Sequence, residues 1–287
     1  ASDVYKRQNL YNSDADFSGS VYRDDAYLHG CNYYGDANLS RCTYFGEAVL
    51  AGSTYMRDAA FQSSVYYGYA SLSSRCREHA DFSHCVYFSD MDMYDSQYRG
   101  YTDFTHCVYY GNANFGASSY EGTVSFSGST YLGDVAMGQC RYEAGVDFSG
   151  SLYLGGPSRE PAGMAGSSYG GAANFGQSIY CGTADIGESK FMAGAPSFDG
   201  CIFDPTVNNH FGNGPGGRYD IRLVGGFPAG ARALSLSQAA QMGVHLRAIE
   251  ALVASLYDVP PGTDAHRGVH QRVLEACTVF ARRVRSL

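Results

Sequence analysis

The chain of 287 residues contains no tryptophan, and Leu, Glu and Lys stay scarce until about residue 230. Strong helix formers are thus confined to the C-terminal part, and the long stretch before it must rely on another regular structure. No apolar run approaches the ~20 residues that cross a bilayer as a helix. The usual zinc spacings of Cys and His are missing. So is a nucleophile–base–acid set, and glycine falls at turns throughout, so a chance GxGxxG-like match carries no meaning. The sequence therefore points away from an enzyme: no catalytic residue, no metal ligand and no cofactor is expected. Bases are sparse over the first two-thirds. Residues 9–203 carry 21 acidic and 9 basic residues, a net of −12, whereas residues 220–287 carry 5 and 8, a net of +3. That balance disfavours nucleic acid as a direct ligand of the body but leaves open a protein partner that itself binds nucleic acid.

Against these absences stand 36 glycines, 25 tyrosines and a tandem repeat of period eleven over residues 15–203. Its first centre is a large apolar residue: Phe17, Leu28, Leu39, Leu50, Phe61, Leu72, Phe82, Met93, Phe104, Phe115, Phe126, Met137, Phe148, Met164, Phe175, Ile186 and Phe198. Two residues before it sits a small one, usually Ala. Five residues after it comes Tyr, from Tyr22 to Tyr180, with Phe191 and Phe203 closing the series, and two before each Tyr is Ser or Cys. The unit is therefore five plus six. Each half reads small-x-large, which puts both groups on one side of a short extended segment; the spacings of three and four that a helix needs are absent. Such short strands are stable only when stacked coil on coil, with like residues piled at about 4.8 Å. Most of the nine cysteines share the Ser position, so they read as small free thiols rather than a disulfide framework, which favours a reducing, cytoplasmic location. An inward Tyr must satisfy its hydroxyl, so the ring is expected to pack with the hydroxyl near the rim.

Units such as Ala15-Asp16-Phe17-Ser18-Gly19, Ala37-Asn38-Leu39-Ser40-Arg41, Ala80-Asp81-Phe82-Ser83-His84 and Ala173-Asn174-Phe175-Gly176-Gln177 resemble those of the pentapeptide-repeat family. The resemblance covers about two-thirds of the chain and recurs in register seventeen times. It departs from the family pattern in that alternate units have six residues and Tyr at their centre. The resemblance implies an all-β fold, a right-handed quadrilateral parallel β-helix of about 22 residues per coil, eight or nine coils and roughly 40 Å long. It also implies a binding protein, since the best-understood family activity is mimicry of B-form DNA toward DNA gyrase and related topoisomerases. Family members use C-terminal helices to pair with a second copy, so a homodimer is implied as well.

Four segments follow. Residues 1–8 read as the translation of a sequencing adapter, with the native repeat entered in mid-unit at Asn9, as in a gene fragment truncated upstream. Residues 9–203 form the β-helix, 204–230 a linker or cap, and 231–287 a helical hairpin. In the hairpin, Ser235 and Gln238 suit a capping box. Leu246, Ile249, Val253 and Leu256 share one face, and Asp264 is the expected cap of a second helix with the stripe Val269, Val273, Cys277, Phe280 and Val284. The hairpin is expected to cover the open end of the solenoid. Two defects break the repeat. Leu72–Ala80 is one residue short and sets Arg77 where Tyr belongs, predicting a bulge or kink. Five extra residues within 155–161 predict a surface loop.

His84-Cys85 and His106-Cys107 lie 22 residues apart and should stack, but neighbours on a strand face opposite sides, so the four do not converge on an ion. The outward position before the first centre is often acidic, with Asp81 over Asp103 and Asp90, Asp92 and Asp95 near them. These five, together with Arg159 and Glu160 of the insertion, are the candidate partner-binding residues; the bland alternative is a solvated surface that resists aggregation. The functional expectation is a non-enzymatic protein-binding solenoid with a topoisomerase as partner. The alternatives are a passive scaffold or spacer for an N-terminal domain, and a surface adhesin-type solenoid.

Overall fold

The computed structural model describes residues 4–5, 9–155 and 162–287, and every count below is made among these residues. Arg159 and Glu160 lie outside them, as does most of the 1–8 segment, of which Val4–Tyr5 pairs with Ala26–Tyr27. The repeat folds into a parallel β-solenoid of about nine turns with coils of about 22 residues. Successive two-residue strands build four sheets of nine, nine, eight and ten strands, so the rod has four faces. In one coil the faces are made in order by Met91–Asp92, Gln97–Tyr98, Thr102–Asp103 and Val108–Tyr109. The register repeats residue by residue: Asp81 pairs with Asp103, and Tyr87 with Tyr109.

Each face has its own inward column. The first face stacks Leu, Met and Ile with Phe115 among them, edge-on to Phe104 and Phe126 of the third face. The third stacks phenylalanines, with ring centroids 4.9 Å apart for Phe82–Phe104 and 4.8 Å for Phe104–Phe126. The second and fourth stack tyrosines with their rings nearly parallel, as in Tyr87–Tyr109 at 5.0 Å and 2°. These spacings are the strand spacing imposed on side chains, and offset stacking keeps the rings compatible with it.

The Ser/Cys column does more than fill space. Ser129 Oγ donates to the Phe104 carbonyl at 3.0 Å and accepts from the Cys107 amide at 3.1 Å. The Cys107 thiol makes the same contact with the Phe82 carbonyl at 3.1 Å. A small side chain with one donor and an acceptor lone pair therefore ties consecutive coils at the bend, which is why only Ser and Cys recur there. All nine cysteines are buried thiols. Burial pushes Cys76, Cys107 and Cys201 up to about 12.

The tyrosines differ from the expectation. Their rings and hydroxyls are both inside: Tyr109 and Tyr131 are 1% exposed, and the hydroxyls of Tyr66, Tyr87, Tyr109 and Tyr131 have no hydrogen-bond partner. The coil is broad enough to enclose the whole side chain. Burial, with the Cys107 thiol close by, holds the Tyr109 phenol neutral far above its usual range. A buried, unpaired hydroxyl costs about 1–3 kcal/mol. The Cys107 thiol stands beside this hydroxyl, so Tyr109→Phe, which keeps the ring, is expected to leave stability unchanged or raise it by up to about 1 kcal/mol, read as an equal or higher urea midpoint at unchanged slope; a lower midpoint would show that the hydroxyl is satisfied. The chain itself puts Phe191 and Phe203 in these columns.

The short repeat makes no bulge. Ser74–Cys76 pairs in register with Ser53–Tyr55, so Cys76, not Arg77, occupies the Tyr position, and Arg77 is exposed. The missing residue is the left-handed one of the preceding turn, where adjacent coils have Gly52 (φ 71°) and Asp95 (φ 57°). Deleting it shortens the corner and leaves the strand untouched. The longer repeat also holds register on both sides, Tyr131 opposite Tyr153 and Val135 opposite Ala162.

Past Phe203 the winding continues irregularly, with His210 bridging to Asp185 and Asn213 to Ser189. Leu223–Val224 and Phe227–Pro228 form a small antiparallel pair. Phe211 and Ile221 are buried against the last coil, with Phe211 edge-on to Phe198 and Phe203. This segment, rather than the helices, plugs the end of the core. Arg232–Ala233 then adds a final strand to the fourth face.

Two helices follow, α1 (Leu236–Leu256) and α2 (Asp264–Ser286). The Ser235/Gln238 capping box is formed in both directions. The second cap is Thr263, one residue before Asp264; its hydroxyl accepts from the His266 amide. The expectation that the hairpin covers the end is corrected. Val269, Val273, Cys277, Phe280 and Val284 of α2, with Met242, Leu246 and Ile249 of α1, form one buried cluster with Phe88, Tyr110, Leu132, Leu154, Ile179 and Ile202 of the fourth face. The start of α2 lies by Tyr67 and Phe88, and its end by the last coils, where Arg232 donates to the Val284 carbonyl. Its 23 residues span about 34 Å, the height of roughly seven coils. The helices therefore lie along the side of the rod.

Candidate functional site

The docked hairpin divides the surface: the fourth face is covered. On the second face Arg75, Arg99 and Arg141 mix with Glu121 and Glu143, and Arg99–Glu121 and Arg141–Glu143 are exposed ion pairs at 3.3 and 2.9 Å. Pairs so exposed contribute at most about 1 kcal/mol each. An acidic column stands on the third face, with Asp16, Asp81, Asp103 and Asp147, whereas the matching column of the first face carries only Asp92 and Asp185 among the described residues.

The structure does not gather the sequence-derived candidates into one patch. Asp81 and Asp103 stack on the third face, whereas Asp92 is on the first, with Asp90 and Asp95 at the turns before and after it. The first and third faces are opposite sides of the rod. Arg159 and Glu160 fall outside the described residues. His84 and His106 do stack, with ring centroids 5.1 Å apart, exposed and in left-handed turns, while the Cys85 and Cys107 thiols point inward to backbone carbonyls.

The carboxylates have local work. Asp81 Oδ1 accepts from the Ser83 amide at 2.9 Å and Asp103 Oδ1 from the Thr105 amide at 2.8 Å, each an Asx-type closure of the next turn. Asn38 and Asn174 make the same bond in this column, which explains why Asp and Asn interchange there. Asp90 acts between coils, its Oδ1 accepting from the Asn112 amide at 2.8 Å.

The contact most specific to this chain is where α2 meets the fourth face. His266 packs edge-on to Tyr67 and Phe88, and His270 Nδ1 lies 2.7 Å from the Tyr110 hydroxyl. Burial lowers the pKa of both histidines, and for His270 the neighbouring His266 adds to it. A histidine with a lowered folded pKa binds its proton more weakly folded than unfolded. It therefore supplies stability above the unfolded pKa of about 6.5 and loses it as pH falls through the folded value. The docked hairpin is expected to weaken between pH 7.5 and 5, seen as a lower urea midpoint for loss of helical circular dichroism. A midpoint that rises at pH 5 would contradict the assignment.

The outward apolar stripe that receives the hairpin was missed in the sequence, although its signal is there. The residue after Tyr reads Phe45, Tyr67, Phe88, Tyr110, Leu132 and Leu154 in every second repeat, against Arg99, Glu121 and Glu143 in the others. Reading the chain by elevens averages the two together; reading it by 22 separates them.

No protein-family model, no curated protein and no solved structure matches this chain.

Proposed function

We propose that the chain is a non-enzymatic binding protein, a rigid rod that offers its acidic third face to a protein partner with a cationic surface shaped for DNA. A topoisomerase such as DNA gyrase is the partner that the pentapeptide-repeat resemblance implies. The observation carrying this reading is the in-register acidic column, Asp81 over Asp103, on a face the hairpin leaves open. A net charge of −12 over roughly 40 Å is one charge per ~3.4 Å, about half the axial density of duplex DNA. The rod thus imitates a duplex in form and sign, at lower charge.

The second reading, a rigid spacer, is favoured by the local duties of the same carboxylates. Substituting Asn separates the two, because its carbonyl keeps the Asx bond while the charge is lost. The test is a gyrase supercoiling assay at micromolar protein. Interference that weakens in the D81N/D103N variant supports the proposal. No effect from the wild-type protein sinks it and leaves the spacer.

A further inference from the structure

We infer that the helical hairpin is an acid-released latch: charging the two histidines on the inner face of α2 frees the hairpin from the fourth face while the solenoid stays wound. His266 and His270 are four residues apart, so they lie one turn from each other on the same side of the helix. Both rest against one solenoid ring, with the Phe88 centroid 4.6 Å from His266 and 5.3 Å from His270. His266 is 4% exposed, and its Nδ1 is buried with no hydrogen-bond partner. A neutral imidazole tolerates that as a bare lone pair, whereas an imidazolium carries a second N–H there that would go unsatisfied. His270 Nδ1 meets the Tyr110 hydroxyl at 2.7 Å, beneath the same helix.

Little around them would neutralise two cations. From the solenoid the facing groups are Tyr67, Phe88 and Tyr110, and burial holds both phenols neutral above their usual range. At the end of α1, Tyr257 donates to the Phe88 carbonyl, and burial keeps it neutral as well. On α2 itself, Cys277 is a buried thiol pushed up to about 12. Arg267 is a further cation, bound to the Gly262 carbonyl and to Asp264, whose side chain is exposed. Asp90, two residues past Phe88, accepts from the Asn112 amide. Among the described residues no carboxylate contacts either imidazole. The ring faces attract a cation weakly compared with the hydration it loses on burial.

Released, both imidazoles take protons at the ordinary value of about 6.5; docked, they resist, and a first charge opposes a second one turn away. The released form therefore binds more protons, and acid draws the equilibrium toward it by up to two. The solenoid has no matching group. Its histidines, His29, His79, His84, His106 and His210, are all at least partly exposed, and carboxylates ordinarily titrate only near about 4. Between these values the hairpin leaves and the rod persists, uncovering the outward stripe of Phe88, Tyr110, Leu132 and Leu154. The device concerns the covered face and rests on nothing in the acidic third face.

The test uses the intact chain and 4,4′-dithiodipyridine, which labels thiols in mild acid. Peptide mass mapping assigns each labelled site, and glutathione gives the intrinsic rate at each pH. Cys277 is 4% exposed on the inner face of α2, close to Tyr110, whereas Cys85 and Cys107 are buried inside the solenoid. Relative to glutathione, Cys277 labelling is expected to rise roughly tenfold or more between pH 7.5 and 5, with Cys85 and Cys107 still protected. In H266F/H270F, whose rings keep the aromatic contacts but do not titrate, Cys277 should stay protected at both pH values. If that variant leaves Cys277 open at pH 7.5, the single His270→Phe replaces it, with release expected about half a pH unit lower than in the parent. Protection of Cys277 at pH 5 in the parent, labelling of Cys85 and Cys107 in step with Cys277, or an unchanged acid response in the variants would overturn the inference.

Discussion

Replacing Phe104 with alanine is expected to cost about 3–5 kcal/mol, the range for a large aromatic side chain removed from a well-packed core. Phe104 is fully buried, stacked between Phe82 and Phe126 at 4.9 and 4.8 Å and edge-on to Phe115 and Tyr98. Its neighbours are fixed by ladder hydrogen bonds on both sides, so the coils have little freedom to close the cavity. In a stacked array each coil is stabilised through its two neighbours, and a defect in the middle weakens both interfaces. The same change at Phe17, only partly buried in an early coil, should cost much less. Denaturant titration of the two variants checks this: a large midpoint loss for Phe104→Ala and a small one for Phe17→Ala. Equal losses would mean that the phenylalanine column is not the packed ladder described.

Introducing Asp at Val273 is expected to detach the hairpin. Val273 is 0% exposed and sits within the cluster that joins α2 to the fourth face. An uncompensated buried carboxylate costs on the order of 3–5 kcal/mol, more than a two-helix contact readily absorbs. The solenoid keeps its own ladders and core, so strand content should persist while the stripe from Phe88 to Leu154 becomes exposed. A contiguous apolar surface of that length promotes self-association. Light scattering after gel filtration should therefore show larger, concentration-dependent oligomers for Val273→Asp than for the parent. A variant that remains dispersed, with unchanged helical signal, would contradict the docking.

What was legible in the sequence follows from which forces are local. The coil is set by period-two pairs and turn residues within eleven positions, so Phe82, Tyr87 and Asp81 fall where the pattern puts them. Helix α2 was legible too, because Val269, Val273, Cys277, Phe280 and Val284 mark its stripe directly. The place where that stripe docks was not. It depends on matching the helix to outward residues such as Phe88 and Tyr110, roughly 160 to 200 positions earlier. Arg77 was misplaced because counting residues treats a deletion as a shift of everything after it. The chain instead drops a turn residue and keeps Cys76 opposite Tyr55. Among the acidic candidates, the stacking of Asp81 on Asp103 was legible, but their neighbourhood with Asp90, Asp92 and Asp95 was not. They were grouped by sequence proximity, yet eleven residues in this fold carry the chain to the opposite face.

Hydroxyl-radical footprinting of the intact chain tests the lateral docking most directly. Tyr94 is 51% exposed on the solenoid and serves as the internal standard, whereas Phe88 and Tyr110 are 6% and 4% exposed beneath α2. Docking along the fourth face predicts strong labelling of Tyr94 and weak labelling of Phe88 and Tyr110. If Phe88 and Tyr110 were labelled as fast as Tyr94, the hairpin would not lie on that face.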